Sequence, residues 1–119
     1  ALIRSRWAGA IDTVGGNTLA TLIKACKSNG SIAACGLVGS PRFQATVYPF
    51  IINGINLLGV DSATCPMPLR LKVWDQLAGT WAAGGLEKMA VACRLKDLDP
   101  HISRILEGKV MGRVVVVHD

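Results

Sequence analysis

Between Gly30 and Ser62 the chain reads G-S-I-A-A-C-G-L-V-G-S-P-R-F-Q-A-T-V-Y-P-F-I-I-N-G-I-N-L-L-G-V-D-S, with two short apolar runs that each stop at a glycine. No other stretch constrains the fold as much. Runs this apolar read as buried strands, and buried strands that stop abruptly at small residues are typical of a parallel sheet, whose ligands sit in the crevice at the strands' carboxyl ends.

The residues on either side agree with that reading. Gly9-Ala10-Ile11-Asp12-Thr13-Val14 is small and apolar as far as Asp12 and then meets Gly15-Gly16, which predicts a strand followed by a tight turn. Asn17 or Thr18 can cap a helix in which Leu19, Leu22, Ile23 and Cys26 share one buried face, and Ser28-Asn29-Gly30 ends it. Ile32 to Cys35 is the second strand, small enough at Ala33 and Ala34 for helices to pack on both faces. Gly36-Leu37-Val38-Gly39-Ser40-Pro41 is its C-terminal loop, where the two glycines either admit a flat ligand or simply make the turn. A short helical turn around Pro49 to Ile52 is broken by Gly54, and Ile55 to Val60 forms the third strand. Three strand ends then converge, after Thr13, Cys35 and Val60, as in half of a dinucleotide-binding sheet. The third strand lies at the sheet edge, and an apolar edge invites a second copy, so Ile55 to Val60 is the expected homodimer contact.

Beyond Cys65-Pro66-Met67-Pro68 the character changes, and the domain boundary is placed there, separating residues 1–66 from 67–119. Leu69, Val73, Leu77 and Trp81 recur every fourth residue, so Trp74 and Trp81 read as helix core rather than as a stacking platform. Ala82 to Gly85 stops that helix and Met89 to Cys93 makes a short strand. Asp99 is the expected N-cap of a further helix with Pro100 in its first turn and Ile102, Ile105 and Leu106 facing inward. Arg113 to Val117 closes the chain as a strand.

Composition excludes several functions. Thirteen Lys and Arg against eight Asp and Glu give a net charge of +5, but the basic residues are scattered, so no nucleic-acid partner is expected. No apolar run is long enough to span a bilayer and no secretory leader is recognisable, which predicts a cytoplasmic protein without a membrane partner. The chain begins without Met and runs almost directly into a strand, as if cut from something longer. The four cysteines, at 26, 35, 65 and 93, form no C-x-x-C pair; they are expected to be free, mostly buried thiols, with no metal site. His101 and His118 have no carboxylate or cysteine at triad or ligand spacing, and no S-x-x-K, G-x-S-x-G or H-E-x-x-H occurs. No catalytic residue is therefore assigned, and the expected role is binding, with the chemistry carried by a cofactor. The phosphate-cradling G-x-G-x-x-G of a dinucleotide fold is missing as well.

W-A-G-A-I-D-T-V-G-G, S-I-A-A-C-G-L-V-G and V-Y-P-F-I-I-N-G-I-N-L-L-G-V-D-S, taken together, resemble the zinc-independent medium-chain dehydrogenase/reductases, in particular the quinone oxidoreductase and acrylyl-CoA reductase branch. The closing G-K-V-M-G-R-V-V-V-V is similar to that family's last strand. The resemblance implies an α/β fold: residues 9–14, 31–36 and 55–60 would be strands 4, 5 and 6 of a Rossmann-type parallel sheet, followed by a segment returning to the catalytic domain. It implies NADPH as cofactor and hydride transfer to an activated carbon–carbon double bond, in an enoyl-CoA thioester or a quinone. By motif position, Thr13, Val14 and Gly15 would line the ribose side, and Cys35, Gly36 and Leu37 would pack against the nicotinamide. Backbone at Val60, Asp61 and Ser62 would hold its carboxamide, and Arg113 matches a basic residue near the pyrophosphate. Two alternatives stay open at this point: a non-catalytic nucleotide-binding or dimerising module left by truncation, and, more weakly, a relative of the zinc alcohol dehydrogenases.

Overall fold

A computed structural model describes residues 3–118. The chain divides between Pro66 and Met67 into two compact units, each described by itself.

The first unit is a three-stranded, all-parallel sheet in the order β1 (Trp7–Asp12), β2 (Cys26–Ala34), β3 (Asn56–Gly59), with α1 (Gly16–Ala25) and α2 (Tyr48–Asn53) in the connections. Leu19, Ile23, Cys26, Ile32 and Ile55 form its buried core, with Ala10, Leu22, Ala34, Phe50 and Leu57 packed around them. Ala10, Ile32 and Leu57 stand side by side in register, so all three strands contribute to one covered face. The opposite row is Ile11, Ala33 and Leu58. There Ile11 is 79% and Leu58 51% exposed, so within this unit only one sheet face is packed, not the expected two. Parallel sheets are covered on both faces almost without exception, which marks this row as a surface needing a partner.

Several boundaries differ from those expected, each for a local reason. β1 ends at Asp12, leaving Thr13 and Val14 in the turn. The Asp12 carboxylate accepts the N–H of Gly15 at 2.9 Å and of Val14 at 3.4 Å, folding the chain tightly enough for α1 to start at Gly16, before the expected caps. The Asn17 carbonyl instead accepts the Thr21 hydroxyl at 2.8 Å. α1 also ends early, at Ala25, because Cys26 is already extended and pairs with Trp7. The register then jumps from Trp7↔Cys26 to Gly9↔Ser31, and the surplus residues of β2 bulge out. Asn29 takes the left-handed conformation in that bulge, with φ 60°. Gly30 is there for space: a Cβ would sit 2.7 Å from the Ala8 carbonyl oxygen and 2.9 Å from that of Lys27. α2 ends where expected, at Gly54.

In the second unit, α3 (Met67–Ala78) is followed by β4 (Ala90–Arg94), α4 (Asp99–Leu106) and β5 (Arg113–Val117), with short 3-10 turns on either side of β4. β4 and β5 pair in parallel, Ala90↔Arg113 through Arg94↔Val117. Neither helix buries a residue. Leu69, Val73, Trp74, Leu77 and Trp81 are exposed instead of forming a core, and Trp81 lies beyond the helix end. Ile102, Ile105 and Leu106 are exposed rather than inward, and Leu98, not Asp99, precedes the first helical residue. The helical period identifies an apolar face, and a two-stranded sheet is too small to cover two such faces. Cys93 is the one buried side chain among this unit's described residues. Of the four free thiols, Cys26 and Cys93 are buried, Cys65 is half-buried and Cys35 is exposed, so "mostly buried" holds for only two. No helix among the described residues is long and apolar enough to cross a membrane.

Candidate functional site

The pairing of β1 with β2 does not stop where the strands end. The Cys35 N–H donates to the Asp12 carbonyl at 2.9 Å, that of Gly39 to the Val14 carbonyl at 2.8 Å, and Gly15 and Ser40 form a further parallel bridge. The loops after β1 and β2 therefore run side by side as a two-ply rim. Gly36 makes the close approach possible. A Cβ on it would lie 2.9 Å from the Thr13 carbonyl carbon and Cα and nearer still to the carbonyl oxygen, all rigid backbone. On the other side the Val60 N–H donates to the Ala34 carbonyl at 3.0 Å, which brings the chain after β3 to the same edge.

Thr13, Val14, Gly15, Cys35, Gly36, Leu37, Val60, Asp61 and Ser62 are thus gathered at the carboxyl ends of three adjacent strands. Thr13, Val14, Leu37 and Val60 are exposed there, whereas Gly15 is buried under Ser40. The Cys35 thiol is turned back to donate to the Asp12 carbonyl at 3.4 Å. Asp61 has its carboxylate tied into its own turn, accepting the hydroxyl of Thr64 and, at 3.2 Å, its N–H. Those bonds, the hydroxyl's first, hold its pKa below the usual carboxylate value of 3.8. Its side chain is engaged locally. Arg113, the remaining candidate, opens β5 in the second unit and pairs there with Ala90.

Sequence reasoning passed over three residues that build this rim: Asp12, Ser40 and Arg42. Ser40 Oγ accepts the Arg42 N–H and donates to the Arg42 carbonyl, each at 3.0 Å. With residues 14–18 and Gly39 these two line a cleft of about 360 Å³. The available signal was an Asp two residues before a Val-Gly-Gly turn, the pattern of an Asx turn. Among the described residues no cluster of three His, Cys, Asp or Glu could hold a metal. The rim offers backbone groups, small residues and apolar side chains, a donor set suited to holding a flat, partly polar ligand.

A parallel α/β sheet with a rim of this kind at its strand ends is one half of a Rossmann-type sheet. No family model matches the chain. Individual proteins do. YhfP of Bacillus subtilis, which carries a quinone oxidoreductase name, is 39% identical over 98% of this chain and 36% of its own length. The acrylyl-CoA reductase AcuI of Ruegeria pomeroyi is 44% identical over 92% of this chain and 33% of its own length. The crystal structure of YhfP with NAD bound superposes with a TM-score of 0.86 at 38% identity, over 99% of this chain and 36% of that one. That of Escherichia coli YhdH with bound NADPH gives 0.84 at 34% identity, over 97% of this chain and 36% of that one. These matches support the resemblance to the medium-chain dehydrogenase/reductase superfamily, with the chain similar to the C-terminal part of its oxidoreductases. The chain spans about a third of the length of the curated relatives it matches.

Proposed function

We propose that the chain forms the nicotinamide-holding C-terminal part of an NADPH-dependent reductase of activated carbon–carbon double bonds, acting on an acrylyl-CoA-like enoyl thioester or a quinone. The observation that carries this reading is the rim, in which three strand ends and a glycine-mediated loop contact present backbone and small residues at one edge. Relatives whose structures hold NAD or NADPH share this fold at TM-scores of 0.86 and 0.84. When bound, the cofactor supplies the hydride for the substrate's β-carbon or for a quinone.

The chain's own residues bind and orient. Thr13, Val14 and Gly15 hold the ribose side, Cys35, Gly36 and Leu37 pack against one face of the ring, and backbone at residues 60–62 takes up its carboxamide. Cys35 is a packing residue whose thiol stays bonded to the Asp12 carbonyl. Residues 1–66 are read as the later half of the dinucleotide-binding domain and 67–119 as the end of the catalytic domain. The outer edge of β3, within Ile55 to Val60, is the surface for a homodimer, offered through its backbone because the Ile55 side chain is buried in the core. The enzyme is read as zinc-independent and cytoplasmic.

The test is to express the whole reading frame that contains the chain and to follow NADPH oxidation with acrylyl-CoA and with a benzoquinone, with NADH in parallel. Saturable turnover of one acceptor, faster with NADPH than with NADH, supports the reading. Absence of both turnover and nicotinamide binding overturns it.

A further inference from the structure

We infer that Asp12 is a positioning residue of the nicotinamide crevice, its side chain ordering the first inner loop of the rim, against which the second is paired; the inference rests on the reading of that rim as a nicotinamide site. Asp12 is 2% exposed, in a position where its neighbours along the same sheet face, Ala10 and Ile32, are apolar. Burying a carboxylate there is costly unless hydrogen bonds satisfy it. Both oxygens are used, and both are spent on the first loop: Oδ2 accepts the Gly15 N–H at 2.9 Å and Oδ1 the Val14 N–H at 3.4 Å. These bonds hold Gly15 at φ 69°, the conformation that turns the chain from strand into helix and sets it beneath Ser40.

The main chain of the same residue holds the second loop. Its carbonyl oxygen accepts the Cys35 N–H at 2.9 Å and the Cys35 thiol at 3.4 Å. The side chain thus orders residues 13–15, against which the second loop is paired through the Asp12 and Val14 carbonyls and the Gly15–Ser40 bridge. The carboxylate is buried beneath the rim. It acts through Val14 and Gly15, and an apolar residue would fill the space without ordering the turn.

The experiment uses the protein expressed from the whole reading frame. Affinities of the wild type, Asp12→Ala and Asp12→Asn are measured for NADPH and for 2′,5′-ADP, which carries the adenine half without the nicotinamide. Loss of a charge-assisted bond to a buried N–H predicts that Asp12→Ala weakens NADPH about tenfold or more, with 2′,5′-ADP changing less than about twofold. Asp12→Asn keeps the shape and one acceptor for Gly15, so it folds even if the alanine variant does not, and it loses about threefold for NADPH alone. Equal weakening of both ligands would reduce Asp12 to a general structural residue and overturn the inference, as would unchanged NADPH affinity in both variants. A wild type that binds 2′,5′-ADP but gains nothing from the nicotinamide half overturns the reading of the rim itself and takes the inference with it.

Discussion

Replacing Gly36 with alanine should force apart the two loops that form the inner rim. A Cβ at this position would lie 2.9 Å from the Thr13 carbonyl carbon and Cα, with the carbonyl oxygen closer still. All three atoms are backbone, so no flexible side chain can swing away. Inserting a methyl into so tight a contact costs about 1–3 kcal/mol. The displacement also weakens the 2.9 Å bond from the Cys35 N–H to the Asp12 carbonyl, adding about 1 kcal/mol. A loss of about 2–4 kcal/mol is a large share of the ~5–15 kcal/mol that a domain normally has. In urea it corresponds to a midpoint lowered by roughly 1–2 M. Gly59→Ala is the control, because nothing lies within 4 Å of its Cβ position, and it should stay within about 0.5 kcal/mol of the wild type. If Gly36→Ala unfolded with the wild type, or Gly59→Ala lost as much, the close loop contact would not be the source of the rim's rigidity.

Gly54→Ala, at φ 59° and with a Cβ 3.0 Å from Asn29 Oδ1, should cost about 1 kcal/mol in the same urea assay. Leu58→Lys on the open sheet face should leave the stability of this chain within about 0.5 kcal/mol, but cost about 2 kcal/mol or more in the protein from the whole reading frame. Equal effects in both would mean that nothing covers that face. The Asp61 carboxyl, followed by NMR, should titrate below 3.8 because Thr64 favours its charged form. Its pKa is lowered on folding, so its contribution to the turn is present above the ordinary carboxylate value and is lost as pH falls through the folded midpoint. Asp61→Asn should remove that pH dependence, and a midpoint at or above 3.8 would contradict it. Under alkylation, exposed Cys35 should react well before buried Cys26 and Cys93, and NADPH should slow Cys35 selectively in the protein from the whole reading frame.

The order of strands in the first unit was legible because apolar runs ending at Gly36 and Gly59 leave little choice but a parallel sheet, and the buried face of α1 because Leu19 and Ile23 share a helical period. The start of β2 at Cys26 was not, since it depends on pairing with Trp7 and on a left-handed Asn29, neither of which leaves a local pattern. The rim positions were legible as strand ends. Asp12 was not recognised as their support, because an Asp beside a turn does not show which N–H groups it will accept. In the second unit the spacing of Leu69, Val73 and Leu77 correctly marked a helix, yet a period reveals an apolar face and says nothing of what covers it. Arg113 shows the same limit, since its match to a family position fixes a place along β5 but not a ligand contact.

The most direct test of the central claim is amide hydrogen exchange on the protein from the whole reading frame, with and without saturating NADPH. The account predicts slowed exchange at residues 13–15, 35–37 and 60–62 together, with Ile55 to Leu58 unchanged. Protection that spared all three segments while NADPH was bound would show that the strand ends of this chain are not where the nicotinamide is held.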